Sequence, residues 1–198
     1  MAIWWYVARA SGLVAWILLT FTVVWGILLS TKVLGRRPTP AWLLDLHRFV
    51  GGATVVFVGV HLAAIFLDSF VHFDLVALFV PFASAWNPAA VAWGIVALYL
   101  LVAVEITSLL RRSLPNRFWR RVHYASFPLF AVATIHGLTA GTDSRTTFAV
   151  MVVSGAVLCV GLLTATRLGR AIGSAEPVRA EPVRAAPPPV ATIRRPQP

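Results

Sequence analysis

The feature of this sequence that most constrains its fold is a series of long apolar runs that hold almost no charge. Only 12% of the 198 residues are charged, against about a quarter in soluble domains. A helix needs roughly 20 apolar residues to cross a hydrocarbon core of about 30 Å, and its backbone groups must bond internally. The sequence therefore predicts an all-α integral membrane protein, a bundle of about five transmembrane helices near residues 11–30, 49–67, 89–110, 122–138 and 146–166.

The positive charges indicate the orientation of these spans. The chain has a formal net charge of +10, and its Lys and Arg residues concentrate at 32–37, 111–121 and from 167 onward. These segments follow the first, third and fifth predicted spans. Because cytoplasmic loops are enriched in Lys and Arg, we expect the N-terminus outside and the C-terminus in the cytoplasm. This placement beside the spans explains the positive charge by the orientation of the chain in membrane lipid, so nucleic acid is not expected as a partner.

The chain divides into a membrane domain, residues 1–168, and a C-terminal tail, residues 169–198. The tail repeats the pentapeptide EPVRA at 176–180 and 181–185 and continues into a run of prolines. Proline, alanine and scattered arginine cannot build a core, so the cytoplasmic tail is predicted to be disordered. The other long connection, 68–88, is predicted to be an outer loop or a shallow interfacial helix.

Four of the five histidines lie inside two of the predicted spans. His47 and His61 are 14 residues apart in the second span, and His123 and His136 are 13 apart in the fourth. Both spans run from the cytoplasm outward, and a helix rises about 1.5 Å per residue, so the histidines lie at matching depths. Imidazoles that face each other across a helix pair are typical axial ligands of haem iron. The pattern therefore predicts two haems stacked across the membrane.

Helical geometry raises one difficulty for this scheme. Thirteen residues turn an ideal helix to a face about 140° away from the starting one. His123 and His136 can therefore both face the second span only if Pro128, which lies between them, kinks or rewinds the fourth. His72, in the outer connection, has no partner in the scheme.

Other residues near the histidines allow two interpretations each. Glu105 is the only acid well inside a span, and it either serves a proton or ligand role or pairs with an arginine of the next loop. Gly51, Gly52 and Gly59 either admit a flat macrocycle beside the second span or pack against another helix. Arginines beside the cytoplasmic histidines either pair with haem propionates or only mark the cytoplasmic side.

At these residues the sequence resembles the ferric reductase-like transmembrane domain family. That family includes ferric reductases, NADPH oxidases and the bacterial haem-binding membrane subunit of a methionine-sulfoxide reductase. The likeness covers roughly residues 7–166 and rests on the histidine spacings and on the strings ARASGL at 8–13, LHR at 46–48 and RRVHY at 120–124. The resemblance implies that His47 and His123 bind the iron of an inner haem, and that His61 and His136 bind the iron of an outer haem.

The resemblance also implies a function, a di-haem b-type cytochrome that passes electrons across the cell membrane to an acceptor outside. Complete reductases of the family carry a C-terminal flavin and nicotinamide domain, for which this sequence shows no motif. We therefore expect an oxidoreductase component without catalytic residues of its own, supplied by a flavoprotein or the quinone pool. The alternatives are another four-histidine di-haem cytochrome, such as the ascorbate-type b cytochromes, a metal-ion transporter that uses the histidines as transient ligands, and a purely structural protein.

Overall fold

The computed structural model describes residues 3–31, 41–69, 71 and 73–173, so His72 and residues 174–198 of the predicted tail lie outside it. The described residues contain helices and no strand. In chain order these helices are α1 Ile3–Thr31, α2 Ala41–Leu67, α3 Leu75–Phe79, α4 Pro88–Leu109, α5 Asn116–His123, α6 Ser126–Ala140 and α7 Thr147–Gly173. Because α7 continues past the predicted domain boundary at 168, residues 169–173 are helical.

Four of the helices in the described part of the chain are long and apolar enough to cross a membrane. They are α1, α2, α4 and α7, with mean hydropathies between 2.2 and 2.4. Large apolar side chains remain on the outside of the bundle, such as Phe49 at 73% and Leu109 at 81% exposure. Lipid accepts such a surface, whereas water penalises it. The prediction of an all-α, multi-pass membrane protein is confirmed.

The predicted fourth span, residues 122–138, is interrupted near Pro128, where the sequence predicted a kink. α5 and α6 are separated there by Tyr124 and Ala125. Pro128 explains the break, because inside a helix it cannot donate to the Tyr124 carbonyl and its ring would clash with that group. In the first turn of a new helix these costs largely disappear, and the Phe127 N–H bonds the Tyr124 carbonyl at 3.2 Å instead. At about 1.5 Å per residue α6 is too short to cross alone and is not among the four helices above, so the predicted count of five spans stays a prediction.

The bundle is assembled from two helix pairs. α1 packs along α2, and α4 packs along α6, while α2 and α6 have hardly any backbone contact with each other. Buried apolar side chains of α1, α4, α6 and α7 join the two pairs; they are Leu19, Val23, Ile27, Ala97, Leu101, Leu129, Phe130 and Val160. Trp16 in α1 adds a hydrogen bond to the Thr134 hydroxyl in α6, at 2.9 Å. The space between α2 and α6 is thus left free for side chains of the site.

Contacts at both ends show how the helices run. Arg9 of α1 forms an ion pair with Asp143, just before α7. At the opposite end, Arg170 of α7 donates to the Thr31 carbonyl of α1 at 3.5 Å, so α1 and α7 run in the same direction. The predicted outer connection contains α3, whose N-cap Asp74 accepts a backbone N–H, and its five residues are too few to cross a membrane.

Candidate functional site

Four histidines meet in two pairs, with His47 and His61 on α2 facing His123 at the end of α5 and His136 on α6. The ring centroids of His47 and His123 are 6.2 Å apart, and those of His61 and His136 are 6.3 Å apart. We call these the inner pair and the outer pair, after the predicted orientation. The structure brings together the same partners that the matching depths predict, while their role as iron ligands stays a prediction.

The break before α6 removes the difficulty of the helical faces. His123 is the last residue of α5, and His136 lies in the last turns of α6. The directions of the two rings are therefore set by two helices instead of one. Both rings face α2, which an uninterrupted helix would not allow at a spacing of 13 residues.

Both histidines of the outer pair contact a backbone carbonyl on a neighbouring helix. His61 Nδ1 lies 2.7 Å from the Ala8 carbonyl of α1, and His136 Nδ1 lies 2.8 Å from the Ala90 carbonyl of α4. Because a carbonyl can only accept, Nδ1 carries the proton and donates it, and Nε2 keeps its lone pair. Histidines that bind metals are usually oriented by a hydrogen bond of this kind.

A glycine makes room for each ring of the outer pair. A Cβ on Gly12 would lie 2.9 Å from His61 Nδ1, and a Cβ on Gly94 would lie 2.7 Å from His136 Cε1. Real Cβ atoms essentially never come that close to another heavy atom. Each glycine stands four residues after the carbonyl that its histidine bonds, so its missing side chain opens the way to that carbonyl.

The first histidine of the inner pair repeats the packing of this arrangement without its regular hydrogen bond. His47 packs against Gly26 of α1, where a Cβ would lie 3.2 Å from its Cε1. Its ring interacts with the carbonyl of Thr22, again four residues before the glycine. The buried Nδ1 nevertheless completes no hydrogen bond of regular geometry.

The second histidine of the inner pair is surrounded by side chains instead. The Ser108 hydroxyl donates to the Val104 carbonyl of its own helix at 2.7 Å and lies 3.5 Å from His123 Nδ1. The Trp119 ring stacks on His123 at a centroid distance of 4.9 Å, and the Arg111 guanidinium lies 4.3 Å over Trp119. The Trp119 indole N–H is buried without a hydrogen-bond partner among the described residues.

A cavity of about 670 Å³ surrounds the outer pair, within the range of 300–1,000 Å³ that is typical of ligand and cofactor sites. Its walls are mostly apolar and come from all the long helices and from the outer connections. Its polar side chains include Arg9, Asp68 and Asp143. The space can therefore hold a largely apolar group with a polar edge.

The distances within the pairs fit a haem iron held by two imidazoles. A metal–imidazole bond is about 2.0 Å and the nitrogen lies about 1.1 Å from the ring centroid, so two opposite ligands have centroids roughly 6.2 Å apart. The pairs measure 6.2 and 6.3 Å. Haem brings its other four iron ligands with it, so two histidines suffice. No group of three or more His, Cys, Asp or Glu residues that could hold a bare metal ion occurs in the described ranges, and metal-ion transport gains no support there.

The remaining candidates from the sequence lie outside the two pairs. Glu105 is half-buried against Gly51 of α2 and forms no ion pair with a described arginine. Gly52 and Gly59 are exposed and have open space around them. They lie about 140–160° around α2 from the nearer histidine, so the hypothesis that they admit a macrocycle is not supported.

Sequence reasoning missed the residues that stand behind the histidine rings. They are Gly12, Gly26, Gly94 and Ser108. A signal was available, since Gly12 and Gly26 are 14 residues apart, as are Gly94 and Ser108. That spacing equals the histidine spacing of α2, because neighbouring helices that meet at two levels need contact residues separated by the same rise.

The fold and the site define a multi-pass membrane protein with two half-buried imidazole pairs at different heights. A family model described as the ferric reductase like transmembrane component matches residues 11–134, more than half of the chain. The chain therefore belongs to this family, which confirms the resemblance seen in the sequence. Transmembrane domains of the family generally bind haem, and membership indicates a membrane subunit for electron transfer. No curated protein and no solved structure matches the chain.

Proposed function

We propose that the protein is a di-haem b-type cytochrome that carries electrons across the membrane. His47 and His123 are the proposed ligands of an inner haem, and His61 and His136 are those of an outer haem. The observation that carries the proposal is the separation of 6.2 and 6.3 Å within the pairs, the spacing expected of two imidazoles on one iron. Membership of the ferric reductase-like family supports it independently.

Residues of the chain orient the outer histidine rings and exclude water from the space between the two pairs. Bound haem supplies one-electron redox chemistry, whereas the protein supplies position and surroundings. The Ala8 and Ala90 carbonyls hold the Nδ1 protons of the outer pair, which leaves both Nε2 lone pairs available to iron. Leu101 and Leu129 are buried and line the cavity between the levels, where they exclude water.

We further propose that electrons enter at the inner level from a separate flavoprotein or quinone and leave at the outer level. The charge distribution supports the membrane orientation on which this direction depends. The end of the bundle that carries the inner pair is rich in arginine, which predicts that it faces the cytoplasm; these arginines include Arg111, Arg112, Arg117, Arg120, Arg121 and Arg167. The Arg111–Trp119–His123 stack reaches from this end to the inner pair.

An absorbance spectrum of the detergent-purified full chain, before and after dithionite, tests the proposal. We expect the Soret and α-band changes of low-spin, bis-histidine haem, at two haems per chain. His47→Ala and His123→Ala should each remove the same haem, and His61→Ala and His136→Ala the other. His72→Ala is the matched control and should retain both, because it belongs to neither pair.

Two results would contradict the proposal. A colourless preparation from haem-sufficient cells would refute haem binding altogether. A loss of the same haem in His47→Ala and His136→Ala would refute the assignment of ligands by depth, even if two haems are present in the unaltered protein.

A further inference from the structure

Three of the four paired histidines stand against a glycine, and the fourth stands against a serine. Gly12, Gly26 and Gly94 leave the space that a histidine ring fills. Each lies four residues after the residue whose carbonyl interacts with that ring, which is Ala8, Thr22 or Ala90. At the corresponding position of α4, Ser108 takes the place of the glycine beside His123. The inner level therefore departs from the arrangement that the other three positions share.

The serine changes which group His123 can bond. The Ser108 hydroxyl donates to the Val104 carbonyl at 2.7 Å and lies 3.5 Å from His123 Nδ1, so the serine side chain stands between the ring and this carbonyl. The His123 Nδ1–H is left with the hydroxyl oxygen at 3.5 Å, the outer limit of a hydrogen bond. By contrast, both rings of the outer pair reach a carbonyl, at 2.7 and 2.8 Å, and the Ala8 carbonyl accepts His61 even though the Ser11 hydroxyl also donates to it at 3.2 Å.

We propose that Ser108 is a positioning residue that raises the reduction potential of the inner level above that of the outer level. The inference rests on the proposed haem function. A strong Nδ1–H bond to a carbonyl makes an imidazole more basic and favours ferric over ferrous iron, which lowers the potential. The outer pair has two such bonds. In the inner pair, His47 Nδ1 completes none, and His123 Nδ1 reaches only the Ser108 hydroxyl, at 3.5 Å.

Two substitutions of the same residue should act in opposite directions. Ser108→Gly recreates the arrangement of the other three positions and opens the way from His123 to the Val104 carbonyl, so the potential of the inner level should fall. The Thr107 hydroxyl still donates to that carbonyl at 3.1 Å, as the Ser11 hydroxyl donates to the Ala8 carbonyl beside His61. Ser108→Ala removes the hydroxyl acceptor but keeps the Cβ, which by the packing of the three glycine positions still blocks His123 from the Val104 carbonyl, so the potential should rise. Each change should alter the ratio of reduced to oxidised inner haem at a fixed ambient potential by about 2- to 12-fold, the weight of one hydrogen bond.

Spectroelectrochemical titration of the purified full chain provides the measurement. The step that disappears in His47→Ala belongs to the inner level, and the remaining step belongs to the outer level. Ser30→Ala is the matched control, because Ser30 also bonds its own helix, to the Ile27 carbonyl at 2.8 Å. In the Ser108 variants the outer step should stay in place, which also shows that the bundle is folded.

The outcomes separate this inference from the function on which it rests. Opposite shifts of the inner step alone support it. If both haems are bound and the two variants shift the inner step in the same direction or not at all, the role of Ser108 is refuted and the proposed function stands. The same holds if the outer level has the higher potential in the unaltered protein. An unaltered protein without haem overturns both.

Discussion

Replacing Gly94 by alanine tests how the outer pair is built. A Cβ at this position would lie 2.7 Å from His136 Cε1, 2.9 Å from Nδ1 and 3.1 Å from Nε2. Because three ring atoms are too close at once, rotation of the ring offers little relief. Ordinary contacts begin at 3.4 Å, so the ring must retreat by about 0.7 Å in a closely packed interior.

Two effects of this substitution oppose each other. Alanine favours a helix over glycine by up to about 1 kcal/mol, whereas overpacking a site typically costs about 1–3 kcal/mol. In the haem-free protein the ring can move away and escape most of that cost. Iron ligation and the 2.8 Å bond to the Ala90 carbonyl require the ring to stay. The cost therefore falls on haem binding, which should weaken about 5- to 150-fold at the outer level.

The assay is haem content per chain together with the dithionite difference spectrum and the melting temperature. We expect Gly94→Ala to retain the inner haem, to lose most of the outer haem during purification, and to stay folded. Gly59→Ala is the control, since a Cβ at Gly59 meets no heavy atom within 4 Å. It should keep both haems and melt at the same or a higher temperature.

The reasoning fails if Gly94→Ala binds two haems as tightly as the unaltered protein. It also fails if Gly59→Ala loses a haem while Gly94→Ala does not, because that result would place the macrocycle beside the exposed glycines of α2 and not behind the histidine rings.

Two further substitutions probe the inner level. Gly26→Ala should weaken the inner haem by a smaller factor than Gly94→Ala weakens the outer one, because its Cβ would lie 3.2 Å from His47 Cε1 and not 2.7 Å; equal or larger losses in haem titrations would contradict the packing argument. Glu105→Gln should leave haem content unchanged and keep or raise the melting temperature. Glu105 is half-buried and forms no ion pair among the described residues, so the neutral glutamine removes the free-energy cost of desolvating a charge. Loss of the inner haem in Glu105→Gln would instead make this carboxylate part of the site.

The residues that face the histidines show where the sequence was informative and where it was not. The pairing of His47 with His123 and of His61 with His136 followed from residue counts and from the common direction of the two spans, because the depth of a side chain along a helix is fixed by a constant rise. The spans followed in the same way from the lengths of the apolar runs. These quantities belong to one helix at a time and need no knowledge of its neighbours.

The tertiary structure decided which face each helix presents and which residue stands behind each ring. Rotation of a helix about its axis is set by packing against several neighbours at once, so neither the carbonyl of Ala8 nor that of Ala90 could be assigned to a histidine from the sequence. The break at Tyr124 and Ala125 is similar: Pro128 predicts an interruption, but the direction of the new helix depends on its contacts with α1 and α4. The proposed role of Ser108 could not be inferred from the sequence, because only the fold places this residue beside His123, at a position equivalent to that of the three glycines.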